Sequence, residues 1–303
     1  MVSKTSESAG RPRLNYFKAI VWFVLSLIVS CGNDALTKYV GTHISPWQVT
    51  FFRCFFGVVT LLPFMLYQSG VSFRTQIPWL HVMRGGLLFI AMSLWSHSIQ
   101  EVPVTTATIM SFTVPLFVLL LASIFLQESV TWSMWIATLM GFGGIVLVLP
   151  PVHWSFSSTF VLFVSAAMLF GLLDIINKKY VEQESMLCML FYSTLTATLL
   201  LAFPAMYVGS MPTGYTLLWL LGLGIGSNLI LYFLLKSFTL TSVSSLAPFR
   251  YLELLISMGV GYVFFGDLPP RHSYWGATII ICCTLFVIRA QRRGGGSSAP
   301  SKK

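Results

Sequence analysis

Apolar runs of about 20 residues follow one another almost without pause along this chain, and that length is what a helix needs to cross the hydrocarbon core of a bilayer. Ten such runs stand out: Tyr16–Lys38, Trp47–Gln68, Trp79–Ile99, Thr105–Leu126, Trp132–Pro150, Ser158–Lys178, Met186–Val208, Tyr215–Leu235, Thr241–Phe265 and Tyr274–Ala290. The connections are short and carry helix breakers, as in ISPW, PPVHW, SMPTG and GDLPPRH. Continuous apolar runs exclude a transmembrane β-barrel, whose strands alternate apolar and polar residues. Only 9% of the 303 residues are charged, against about 25% in soluble domains. The expectation is an all-α integral membrane protein with ten transmembrane helices.

Charge placement sets an orientation. With the N-terminus inside, 14 of the 18 Lys and Arg residues fall on inner segments, two (Lys38 and Arg271) on outer loops, and two (Arg53 and Arg250) inside spans. The positive-inside rule therefore predicts cytoplasmic termini. It also explains the net charge of +9 without a nucleic-acid partner. The leader, residues 1–15, is basic and shows no cleavage site after the first run, so that run is expected to stay as a helix. The tail, residues 291–303, is small, polar and basic, and reads as disordered. Five cysteines (Cys31, Cys54, Cys188, Cys282 and Cys283) lie in apolar runs without metal or redox spacing.

Two stretches repeat. In GNDALTKYV, Asp34 has Lys38 one helical turn on; in GLLDIINKKYV, Asp174 has Lys178 one helical turn on. The numbering of the two aspartates differs by an offset of 140. At an offset of 139, Glu128 matches Asp267, Val104-Thr105-Thr106 matches Val243-Ser244-Ser245, and His97 matches Lys236. One near-constant offset implies a duplicated five-helix unit, residues 16–150 and 158–290. Five is odd, so the second copy enters the membrane upside down. An inverted repeat is a signature of transporters.

This arrangement resembles the drug/metabolite transporter superfamily in its ten-helix EamA-like branch, over roughly residues 16–290. Further stretches (CGNDALTKYVGT, PVTTATIMSFTVPLF, LLDIINKKYV, ESMLCMLFYS and APFRYLELLIS) are similar to the S-adenosylmethionine uptake transporters of obligate intracellular bacteria. The resemblance implies a secondary transporter in the bacterial inner membrane. It implies import of S-adenosylmethionine and exchange for S-adenosylhomocysteine. Other members of the superfamily carry amino acids, nucleotide sugars or drugs, and fold does not settle substrate, so another small metabolite is the competing expectation. Nothing suggests an enzyme: there is no clustered His/Asp motif, no nucleophile–base pair and no metal-ligand spacing among the histidines.

The residues that carry chemistry are charges inside spans. Arg250 and Glu253 lie near the middle of the ninth run, where each costs about 2.5–3.5 kcal/mol on insertion scales. Spacing i, i+3 puts them on one helix face and predicts that they pair with each other. A purely structural ion pair would account for both. A zwitterionic ligand gives a further reason, since Arg250 can fork onto a carboxylate and Glu253 can face a cation. Pro248 is expected to break the helix just upstream. The ligand that the resemblance implies offers a carboxylate, an ammonium, a sulfonium and an adenine. Trp95, Phe249, Tyr251 and Tyr192 are the candidate aromatic walls, with ordinary packing as the alternative. Asp34 and Asp174, with Asn33 and Asn177 beside them, are either interfacial helix-end pairs or matched gate and substrate contacts. Glu128 and Asp267 read as solvated or helix-linking. Arg53 reads as snorkelling to the interface, with a gating or carboxylate role as the alternative.

Overall fold

In a bilayer the backbone must satisfy its own N–H and C=O groups, so apolar runs of this length become helices. The computed structural model describes residues 5–41, 44–67, 73–101, 110–148, 158–208, 212, 214–265, 278–282 and 285–286. Its helices, in chain order, are α1 (Thr5–Gly41), α2 (Pro46–Tyr67), α3 (Pro78–Glu101), α4 (Val114–Phe125), α5 (Trp132–Val148), α6 (Ser158–Tyr180), α7 (Met186–Tyr207), α8 (Tyr215–Phe238), α9 (Val243–Leu246) and α10 (Leu252–Phe265). No strand occurs among the described residues. Among those residues, five helices are long and apolar enough to cross a membrane: α1 from Asn15, α2, α6, α7 and α8. Val104–Thr106, the PPVHW connection, Asp267, most of Tyr274–Ala290, the tail and the side chains of Lys38 and His97 lie outside the described residues.

Two helices depart from the sequence expectation. Helix α1 does not begin at Tyr16 but runs back through the basic leader to Thr5. Its 37 residues rise about 55 Å, well beyond a hydrocarbon core of about 30 Å. The ninth run is broken rather than continuous. Helix α9 gives way to a 3-10 turn over Ala247–Tyr251, after which α10 starts at Leu252. Pro248 sits in the first turn of that segment, where its missing N–H rules out regular α-helical bonding.

Helices of the first half pack chiefly on helices of the second. Helix α1 lies against α8 and α10, α2 against α7 and α8, α3 against α6 and α7, and α4 against α6. Each pairing has a counterpart: α1 on α8 matches α6 on α3, and α2 on α8 matches α7 on α3. Two crossings are tight enough to demand glycine. A Cβ on Gly85 of α3 would sit 2.7 Å from the Ser193 carbonyl oxygen and would overlap Thr196 of α7. A Cβ on Gly224 of α8 would sit 2.7 Å from the Gly57 nitrogen of α2. Gly85 matches Gly224 at the repeat offset of 139, and Gly57 matches Thr196 at the same offset. The largest apolar core joins Phe23 and Leu27 of α1 to Val118 and Leu119 of α4, Ile175 of α6, Phe238 of α8 and Leu246 of α9.

Candidate functional site

Helix α1 has one face turned outward, with Phe17, Val21, Leu25 and Ile28 exposed, and an opposite face on which Ala19, Phe23, Leu27 and Cys31 are buried. Asp34 stands two turns beyond Leu27, so it falls on the inward face. Yet Asp34 is exposed. The inward face of α1 is therefore buried along its middle and exposed near its C-terminal end, at Asp34.

Four helices, α1, α2, α8 and α10, bring polar groups together there. Glu253, in the first turn of α10, accepts a hydrogen bond from Ser30 Oγ of α1 at 3.2 Å. The Cys31 thiol contacts the Glu253 carbonyl oxygen at 3.6 Å. Ser30 and Asp34 are one turn apart on the same face of α1. Arg53 of α2 donates from Nε to Ser227 Oγ of α8. The same Ser227 Oγ accepts from Asn33 Nδ2 at 3.2 Å and donates to the Leu223 carbonyl at 2.8 Å. Arg53 and Glu253 both lie within electrostatic range of Asp34. The cluster thus holds two acids, with Arg53 within range of Asp34 and Arg250, itself paired to Asp174, within range of Glu253; no described carboxylate lies within ion-pair distance of Arg53.

The corresponding end of α6 is shut. Leu173, Asp174, Ile175, Ile176 and Asn177 are all buried. Asp174 Oδ2 accepts from Arg250 Nη1 at 2.9 Å. A cavity of about 10 Å³ abuts the pair, room for about one water molecule. One turn on, Asn177 Oδ1 accepts from Arg84 Nε of α3 at 2.9 Å, and Arg84 Nη1 donates to the Met189 carbonyl of α7 at 2.9 Å. Lys178 donates to the Phe238 carbonyl at the end of α8. Helix α6 is therefore tied at one level to α3, α8 and the 3-10 turn, and through Arg84 to α7.

Several expectations change against this geometry. Arg250 pairs with Asp174 of another span, not with Glu253: the 3-10 turn interrupts the helix that would have stacked them, and Glu253 turns to Ser30. Lys178 does not pair with Asp174, because an unsatisfied helix-end carbonyl is nearer at hand. Arg53 does not snorkel outward; it reaches inward to Ser227. The aromatic candidates are not assembled around the acids. Tyr251 packs into the notch left by Gly141 and beside Phe112. Phe249 is buried and meets Tyr16 edge-on, Trp95 meets Phe163, and Tyr192 donates to the Phe73 carbonyl at 2.9 Å. Of the two asparagines, Asn33 joins the open cluster and Asn177 the closed end. Glu128 takes the helix-linking role: its carboxylate accepts from the Val243 and Ser244 backbone nitrogens at 3.2 and 3.1 Å, capping α9.

Sequence reasoning missed Ser227, Arg84 and Glu184. Buried Glu184, between α6 and α7, accepts from Thr75 Oγ1, Gln76 N and Ile77 N at 2.8–3.0 Å, which ties down the segment leading into α3. The one available signal was its place in an otherwise apolar chain.

Comparison with known proteins agrees with this architecture. The sequence profile of the EamA-like transporter family matches twice, over residues 17–149 and 157–289. A Rickettsia felis protein named S-adenosylmethionine uptake transporter is 44% identical over 271 residues, 89% of this chain and 92% of that protein. A Rickettsia prowazekii protein of the same name is 43% identical over the same shares of the two chains. A Vibrio cholerae protein named riboflavin transporter is 31% identical over 76% of this chain and 78% of that one. A protein of known crystal structure superposes with a TM-score of 0.75 over 93% of this chain and 98% of that chain, at 18% identity.

Proposed function

We infer that this chain, which belongs to the EamA-like transporter family, is a secondary transporter that imports S-adenosylmethionine and exchanges it for S-adenosylhomocysteine. Relatives of that name at 43–44% identity over most of the chain support the substrate. One structural observation carries the reading: two acids, Asp34 and Glu253, gather beside the Arg53 guanidinium near the exposed end of α1, while Arg250, within range of Glu253, is taken up by Asp174. S-adenosylmethionine presents the complementary set of one carboxylate and two cations. S-adenosylhomocysteine lacks the sulfonium charge and presents one of each.

The ten spans form two inverted units, residues 16–150 and 158–290. Three features support this: the matched helix pairings, the two glycine crossings and the family match to each half of the chain. The protein crosses the bacterial inner membrane many times with both termini in the cytoplasm, as the charge bias argues. In that orientation exposed Asp34 lies toward the outer side, and the Asp174–Arg250 pair closes the cytoplasmic side. Asp34, Asn33 and Glu253 hold substrate in the conformer described. Asp174, Asn177 and Arg250 form the matched position that opens when the two units exchange roles. Trp95, Tyr192, Phe249 and Tyr251 form walls that the substrate meets only after that exchange.

Reconstituted into liposomes, the protein should take up labelled S-adenosylmethionine, faster when S-adenosylhomocysteine is loaded inside. Unlabelled S-adenosylmethionine should compete and riboflavin should not. Uptake of riboflavin but not of S-adenosylmethionine would transfer the site to another substrate.

A further inference from the structure

Arg53 and Arg250 both lie well inside spans, and either could hold the carboxylate of an amino-acid ligand. The geometry points to Arg53, not Arg250, as the residue that binds the substrate's α-carboxylate and so selects ligands that carry one. This rests on the transport reading above and names how its site orients the ligand.

Arg250 is engaged: its Nη1 is 2.9 Å from Asp174 Oδ2, beside a cavity with room for little more than a water. Arg53 is built differently. Its Nε is held by Ser227, whose hydroxyl is itself fixed by Asn33 and the Leu223 carbonyl. One turn further along α2, Asn228 Nδ2 of α8 donates to the Gly57 carbonyl at 2.8 Å and to Thr60 Oγ1 at 3.0 Å. The close approach of Gly224 to Gly57 fixes the same crossing. The guanidinium is thus held by its Nε edge, which leaves the two terminal nitrogens as a fork. A planar fork of that kind matches a carboxylate with two parallel bonds.

The neighbours set the direction of the ligand. Asp34 lies within electrostatic range of Arg53, and Glu253 is reached through Ser30, one turn earlier on α1. One turn rises about 5.4 Å. An amino-acid head with a cationic sulfur two methylenes from its α-carbon fits that ladder, with carboxylate at Arg53, ammonium at Asp34 and sulfonium at Glu253. A ligand without the carboxylate would leave the half-buried fork without its partner, and a site built to bond a group rejects analogues that lack it.

The probe is decarboxylated S-adenosylmethionine, which keeps the sulfonium, the amine and the adenosine. Both compounds are titrated against the full-length protein in liposomes. The wild type should prefer S-adenosylmethionine over the decarboxylated form roughly 10- to 100-fold, the range for a charge-assisted contact. Arg53→Gln should bring that ratio close to one while still binding the decarboxylated form, and Arg250→Gln should keep the wild-type ratio. Ser227→Ala, which frees the Nε edge but keeps the charge, should give an intermediate ratio, and it decides the matter if Arg53→Gln does not fold. An unchanged ratio in Arg53→Gln, or an unchanged ratio in Ser227→Ala where that variant decides, would overturn the assignment; so would a ratio that collapses only in Arg250→Gln. A wild type that binds both forms equally sinks this inference but leaves the transport reading standing. A wild type that binds neither removes the reading itself.

Discussion

The C-terminal ends of α1 and α6 descend from the same stretch of sequence, matched at the offset that relates Asp34 to Asp174, yet they are in opposite states. At Asp174 every residue from Leu173 to Asn177 is buried, and the carboxylate is paired with Arg250. At Asp34 the equivalent carboxylate is exposed on the inward face of its helix. Two copies of one motif, one shut and one open, are what a two-sided carrier requires, since the unit that is open on one side must be closed on the other. The difference comes from partners rather than from the motif. Arg250 and Arg84 converge on α6, while α1 meets Arg53 across Ser227 and Glu253 across Ser30.

The largest expected effect comes from breaking the shut end. Arg250→Met leaves Asp174 buried without its partner, and removing one member of a buried pair costs about 3–5 kcal/mol. Thermal unfolding in detergent should show a large loss of stability, most of it recovered when Asp174→Leu is added. A single variant as stable as wild type would mean that the shut end is not held by this pair.

A smaller pair of effects sharpens the comparison. Gly85→Ala and Gly224→Ala place a methyl against backbone at matched crossings, and overpacking of this kind costs about 1–3 kcal/mol. The two should lose stability by similar amounts in the same assay. A loss confined to one of them would mean that the crossings are not equivalent.

Glu128→Ala should cost less, about 1 kcal/mol, the usual worth of a helix cap. It removes acceptors from the N-terminus of α9 on the shut side. Its effect should appear as a lower melting temperature without any change in the ratio of affinities for the two substrates.

Much of this was legible in the sequence, and the limits have a physical cause. Helices follow from hydropathy, because the bilayer leaves so few alternatives, and five of the ten expected runs return among the described residues as helices long and apolar enough to span. Pro248 announced the break in the ninth run because its lost N–H acts locally. The equivalence of Asp34 and Asp174 followed from their offset. What each carboxylate touches did not. The partner of Asp174 is 76 residues away in sequence, and the choice between Arg250 and Lys178 depends on how α6, α8 and the 3-10 turn pack. Arg84 looked like an orientation charge because it lies near a span end, but its guanidinium turns inward to Asn177. Ser227 gave no signal at all; one hydroxyl in an apolar helix becomes informative only when Arg53 and Asn33 are found upon it.

The two ends are best compared by equilibrium binding of labelled S-adenosylmethionine to purified Asp34→Asn and Asp174→Asn, side by side with wild type. On the proposed reading the bound ammonium sits at Asp34 and Asp174 stays behind a closed pair. Asp34→Asn should therefore weaken binding roughly tenfold or more, as loss of a charged partner does, while Asp174→Asn should stay within about twofold, below the effect of a single net hydrogen bond. Equal losses at the two positions, or a loss at Asp174 alone, would contradict it.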